Sequence, residues 1–137
     1  MPEEILERIV SNRRARLLLL TPAIFEGGAL PGWNGREWPH GGAIQAAVRA
    51  AAVDRPKVVS GWDLAADNGQ GKPKGQPKPT RRLACAGSVY FLELGGGTDE
   101  DVRHWCEQTW LGCVSDDEQD RRDGFGLAVL GIWEDAQ

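Results

Sequence analysis

The sequence predicts an α+β fold, an antiparallel sheet of the ferredoxin-like or RRM-like kind with helices on one face. Three observations predict it. Taken in order, the segments read as strand, an alanine-rich stretch that favours helix, two strands, helix, strand. Short runs such as LLLL at residues 17–20 and VYFL at residues 89–92 have the length and composition of strands. Before the last strand, TDEDVRHWCEQT offers a capping threonine, an acidic first turn and one apolar face, which together mark a helix.

Each element has a local reason. Pro2 with Glu3 and Glu4 suits a helix start, because proline lacks a donor that would be orphaned there and the acids face the positive end of the dipole. Ile5, Leu6, Ile9 and Val10 repeat at helical spacing, and Ser11 and Asn12 end the run. Residues 14–20, RARLLLL, read as a strand covered on both faces. Pro22 holds Thr21 extended behind it. EGGALPGWNGREWPHGG, residues 26–42, reads as a loop with Trp33 and Trp38 as its large anchors. Residues 43–53, AIQAAVRAAAV, favour helix on alanine content, although the same letters also fit a small-residue strand. KVVSGWDL, residues 57–64, reads as a strand, and so does AGSVYFLEL, residues 86–94. Thr98 caps a helix over residues 99–109, with Val102, Trp105, Cys106 and Thr109 on one face. SDDEQDRRD, residues 115–123, reads as a solvated acidic loop, and GFGLAVLGIW, residues 124–133, as a strand opened by glycines.

The 137 residues suit one domain, with apolar content of 41% and charged content of 26% near the globular average. Wholesale disorder and fibrous repeats are thereby excluded. No apolar run approaches the roughly 20 residues that a membrane-spanning helix needs, and MPEEILERIV has acids where a signal peptide would be basic. A cytoplasmic protein is the simplest reading. Cys85, Cys106 and Cys113 are odd in number and lack CxxC spacing, so a disulfide framework is not expected. His40, His104, Cys106 and Cys113 do not show the paired short spacings of structural zinc sites, and no cofactor is expected. Asp116, Asp117 and Glu118 read as a solvated turn rather than a metal site.

Charge is segregated along the chain. The protein carries 20 acids against 16 bases, yet NGQGKPKGQPKPTRR, residues 68–82, holds Lys72, Lys74, Lys78, Arg81 and Arg82 with no carboxylate. Residues 99–120 hold many acids and a single arginine. Such segregation favours an anionic partner, and proline-restricted lysines lose less entropy on binding than a Gly/Ser tail would. Solubilisation is the competing explanation. Gly124, Gly126 and Gly131 do not form a dinucleotide fingerprint, since position 129 is valine and the LAVLGIW run is β-like rather than helical. They read either as a tight turn entering a core strand or as a loop whose amides approach a polyanion. Only His40 and His104 offer a general base at neutral pH, and neither has a partner at recognisable spacing.

LLLLTPAIF, VVSGWDL, KPKPTRR, AGSVYFLEL and GFGLAVLGIW, in this order, resemble the C-terminal half of the third RAMP subunit of type III-B (Cmr) CRISPR effector complexes, over about residues 14–133. The resemblance implies an RRM-related RAMP fold and non-catalytic binding of guide RNA. It also implies a place beside the large polymerase-like subunit and a grip on the 5′ repeat-derived handle of that RNA. Carried over by position, the RNA contacts would be Gly124, Phe125, Gly126 and Gly131 in the glycine-rich loop, and Lys72, Lys74, Lys78, Arg81 and Arg82 in the basic segment. The resemblance further implies that residues 1–137 form a single RAMP-type domain without the N-terminal RAMP half usual in the family, as a split gene, a truncated form or a reduced relative. Two other readings stay open beside it. One is a RAMP-type metal-independent endoribonuclease with His40 as its base. The other is a structural subunit whose surfaces bind proteins.

Overall fold

A computed structural model of the chain describes residues 1–63, 75–77 and 79–134. The first helix, α1 (Glu3–Asn12), starts behind an extended Pro2 with Glu3 and Glu4 in its first turn and buries Leu6, Ile9 and Val10. Arg13 ends it in the left-handed region at φ 54°, a conformation that costs a non-glycine residue energy. Contacts hold it there. The Arg13 guanidinium donates to the carbonyls of Gly96 at 2.6 Å and Gly97 at 3.2 Å, tying the end of α1 to the segment that starts the second helix.

That reversal feeds β1 (Arg14–Leu19), in which Ala15, Leu17 and Leu19 are buried. The expectation of a strand covered on both faces is corrected, since Arg16 is exposed and Arg14 and Leu18 are half-buried on the opposite face. After β2 (Ala23–Ile24), residues 26–42 form a loop as expected, but its two tryptophans are core residues, with Trp33 and Trp38 only 3% and 1% exposed. Next comes β3 (Gln45–Ala52), paired antiparallel to β8 (Val89–Gly95) with a bulge between Val48 and Ala50. The helix favoured for residues 43–53 is therefore corrected to strand. Alanine's helix propensity is worth tenths of a kcal/mol per residue, which a full ladder beside a β-rich partner strand overrides.

The expected strand over residues 57–64 is broken into β4 (Lys57–Val59) and β5 (Trp62–Asp63), and neither joins the main sheet. β5 pairs with β6 (Gln76–Pro77), while β4 and β2 flank β7 (Arg81–Ala84). The second helix, α2 (Asp99–Thr109), has the expected Thr98 cap completed by a reciprocal bond from the Thr98 amide to Asp101, and it buries Val102, Trp105, Cys106 and Thr109. β9 (Gly112–Cys113), the short α3 (Glu118–Arg122) and β10 (Leu127–Ile132) complete the chain.

The main sheet is antiparallel, in the order β3-β8-β1-β10-β9. Its four long strands, taken in chain order, lie as second, third, first, fourth, which is the ferredoxin-like arrangement. One feature departs from that pattern. The short β2 and a loop, not a helix, join β1 to β3, and α1 precedes β1 and packs beside α2. Both helices share one core with Ala15, Leu17, Tyr90, Leu92, Ala128 and Leu130 of the sheet. Trp38 completes this layer, with ring centroids 4.6 Å from Trp33 and 5.1 Å from Trp105. Among the described residues no helix is long and apolar enough to cross a membrane.

Candidate nucleic-acid interface

The glycine turn is built from the chain on both of its sides. Gly124 and Gly126 have φ of 89° and 86°, a region that glycine enters freely and L-residues do not. Thr21, two residues past β1 and just before Pro22, staples the turn: its Oγ1 donates to the Gly124 carbonyl at 2.7 Å and accepts from the amides of Gly126 and Leu127 at 3.1 and 2.9 Å. The Gly124 amide donates to Arg121, the Phe125 amide to Asp120 and the Gly126 amide to Pro22. The amides of residues 124–127 are thus all spent within the protein. Of the two readings of this segment, the geometry fits a tight turn entering a core strand. Any ligand would meet the exposed Gly124 and the half-buried Phe125 rather than bare amides. A Cβ at Gly126 would lie 2.8 Å from the Ser115 nitrogen and 2.9 Å from its Oγ. Replacing Gly126 by alanine should therefore cost about 1–2 kcal/mol from backbone strain and this crowding, read as a lowered urea midpoint, whereas the same change at the open Gly124 should cost less.

The turn comes directly after α3, and α3 corrects the reading of residues 115–123 as a solvated loop. Asp117 caps the helix by accepting from the Gln119 and Asp120 amides, Glu118 and Asp120 lie in its first turn, and Arg121 and Arg122 close it. That order of cap, acids and then bases is a dipole-matched helix signature, and it is present in DDEQDRR. Asp116 is also engaged, since its carboxylate accepts from the Glu26 amide at 2.7 Å and the Gly32 amide at 2.9 Å. Asp120 is 5% exposed. Arg81 on β7 grips it through both guanidinium nitrogens at 2.8 and 2.5 Å. The Asp120 carboxylate in turn holds the Arg81 pKa above the ordinary arginine value.

Arg82, the next residue, is exposed and has no carboxylate partner among the described residues, and its stem lies against Gly28. Arg81 and Arg82 border a cleft of about 680 Å³ that also takes in Gly27, Gly28, Asp116 and Asp120. Lys72, Lys74 and Lys78 lie outside the described residues. Gly131 does not join the turn. It lies within β10, opposite Arg16 of β1, on the sheet face away from the helices. The residues that sequence reasoning missed here are Asp120, Thr21 and Ser115.

His40 is exposed, and its Nε2 donates to the Cys113 carbonyl at 2.8 Å. Among the described residues no three His, Cys, Asp or Glu side chains gather where they could hold a metal ion. The three cysteines are free, and burial raises the Cys106 thiol to about 12. The model of the family described as CRISPR-associated protein (Cas_Cmr3) matches residues 1–133. The chain belongs to the Cas_Cmr3 family. It is accordingly a subunit of the type III-B CRISPR complex, and the match extends through α1 as well as the segments that carried the resemblance. No curated protein matches the chain. In this Cas_Cmr3 member, the candidate site joins two segments far apart in sequence. Arg81 stands next to the end of the basic segment, and Asp120 stands on the helix that delivers the glycine turn.

Proposed function

We propose that the chain is a non-catalytic, cytoplasmic subunit that holds the 5′ repeat-derived handle of the guide RNA next to the large subunit of the complex. The observation that carries this reading is the Arg81–Asp120 ion pair. It pins the end of the acid-free basic segment to the helix leading into the glycine turn, so Arg81 and Arg82 stand close to that turn. Arg81 then acts as the clamp. Arg82 and the lysines at 72, 74 and 78 supply the phosphate contacts. Phosphate contacts of this kind position an RNA and give affinity without reading its sequence.

Fluorescence anisotropy with a repeat-derived RNA across a salt series tests it. For single strands, log K falls by about 0.7 per neutralised phosphate per decade of salt, so three to five contacts give a slope of roughly −2 to −3.5. Changing Lys72, Lys74, Lys78 and Arg82 together to glutamine should flatten that slope and weaken binding at low salt. Unchanged slope and affinity would reject the basic segment as the contact. The same RNA should stay intact in chelator with wild-type protein, and cleavage that depends on His40 would replace this reading with an endoribonuclease.

A further inference from the structure

The helices cover the sheet face that carries Ala15 and Leu17, and the other face presents a small grid of side chains from three adjacent strands. Arg16 lies between Phe91 on β8 and Gly131 on β10, and Arg14 lies next to Glu93. Trp133 comes directly after β10. The Arg14 guanidinium carbon sits 5.1 Å from the Trp133 ring centroid, and that of Arg16 sits 5.5 Å from the Phe91 centroid. The two rings are 5.6 Å apart at 74°, so they form two walls of a corner. Phe91 and Trp133 are half-buried, and Arg16 is exposed with no carboxylate partner among the described residues. Gly131 leaves the strip beside Arg16 bare.

We infer that this open sheet face is a stacking platform for unpaired RNA bases, with Phe91 and Trp133 as the stacking surfaces and Arg16 as the cation that moves onto the neighbouring phosphate. Charge favours this occupant: Glu93 pairs with Arg49 at 2.8 Å and with Arg14 at 3.8 Å, and Arg16 beside them has no carboxylate partner among the described residues. Local chemistry favours it as well. Each ring already has a planar cation over it, and a base stacks on an aromatic face more strongly than an exposed guanidinium does. A base on Phe91 displaces Arg16 from that ring, and the freed Arg16 meets the phosphate that the base brings with it. Single-stranded RNA is recognised in this way on four-stranded sheets, with aromatics under splayed bases. This surface is distinct from the Arg82 site. The inference rests on the proposal that the chain binds guide RNA.

The test is anisotropy with the repeat-derived RNA, comparing wild type with a Phe91→Leu/Trp133→Leu double variant, Phe91→Tyr and Arg16→Gln. The double variant keeps apolar bulk and loses the rings. Its affinity should fall about 5- to 150-fold for each stack lost, with the salt slope unchanged because no cation is removed. Phe91→Tyr should bind as wild type. Arg16→Gln, at an exposed position that leaves folding intact, should weaken binding and flatten the slope by about 0.7, and it decides the matter if the double variant does not fold. Wild-type affinity in both the double variant and Arg16→Gln overturns the platform while leaving guide-RNA binding in place. Wild-type protein that binds no RNA overturns both. Loss of co-elution with the large subunit, at unchanged RNA affinity, assigns this face to protein and overturns the platform.

Discussion

Trp38→Ala is expected to cost about 3–5 kcal/mol of folding stability, the range for removing a large aromatic from a core. The side chain is 1% exposed and meets Trp33 on one side and Trp105 of α2 on the other. Alanine would leave a cavity bounded by two other tryptophans, whose rings are too rigid to collapse into it. Urea unfolding should show a lower midpoint at unchanged slope, and the melting temperature should drop by about 10–20 °C for a chain of this size. A comparison with phenylalanine separates the packing of these rings from their polarity. The Trp38 Nε1 has no hydrogen-bond partner among the described residues, whereas the Trp33 Nε1 donates to the Val114 carbonyl at 2.9 Å. Trp33→Phe should therefore be costlier than Trp38→Phe by about 1 kcal/mol. A loss below about 1 kcal/mol for Trp38→Ala would mean that the loop over residues 26–42 unfolds separately from the core. In that case it could not stand in for the helix that a ferredoxin-like fold has between its first two strands.

What could be read from the sequence divides along the distance between the residues involved. The α2 helix was legible because Thr98 and Asp101 are three residues apart and the cap is a local contact. The strand at residues 89–95 was legible because Val89, Tyr90 and Phe91 are β-branched and aromatic, the residue types that fit a pleated, half-buried surface. Residues 45–52 were not. Their alanines have no strand preference, and their conformation comes from pairing with β8, some 40 residues further on. Asp120 was read as a solvated acid for the same reason, because the arginine that buries it lies 39 positions away. The grid of Arg16, Phe91, Gly131 and Trp133 joins three strands and becomes visible only once their register is known. Gly131 shows the limit of reading by spacing. It falls into one phrase with Gly124 and Gly126, yet the fold sends it to the opposite face of the sheet from the core.

Arg81→Met should destabilise the protein by about 2–3 kcal/mol, and Arg82→Met should change stability by less than about 0.5 kcal/mol. The two residues are adjacent and chemically identical, so the difference lies in what each leaves behind. The Asp120 side chain is 7% exposed, and without Arg81 its charge would remain buried and unpaired. Breaking a fully buried pair costs about 3–5 kcal/mol, but the Arg81 side chain is itself 48% exposed, which lets water take up part of the loss and lowers the expected figure. Replacing both partners, as Arg81→Met with Asp120→Leu, should recover much of the stability, because apolar side chains of similar size suit the vacated site. RNA binding should move in the opposite sense. Arg82→Met should flatten the salt slope by about 0.7 with the urea midpoint unchanged, whereas the double replacement should keep the slope. An equal fall in slope for both arginines would make Arg81 a phosphate contact rather than a clamp. A stable Arg81→Met protein would remove the ion pair as the link between the basic segment and the glycine turn. Without that link, the Arg82 site would have to bind RNA independently of the turn beyond α3.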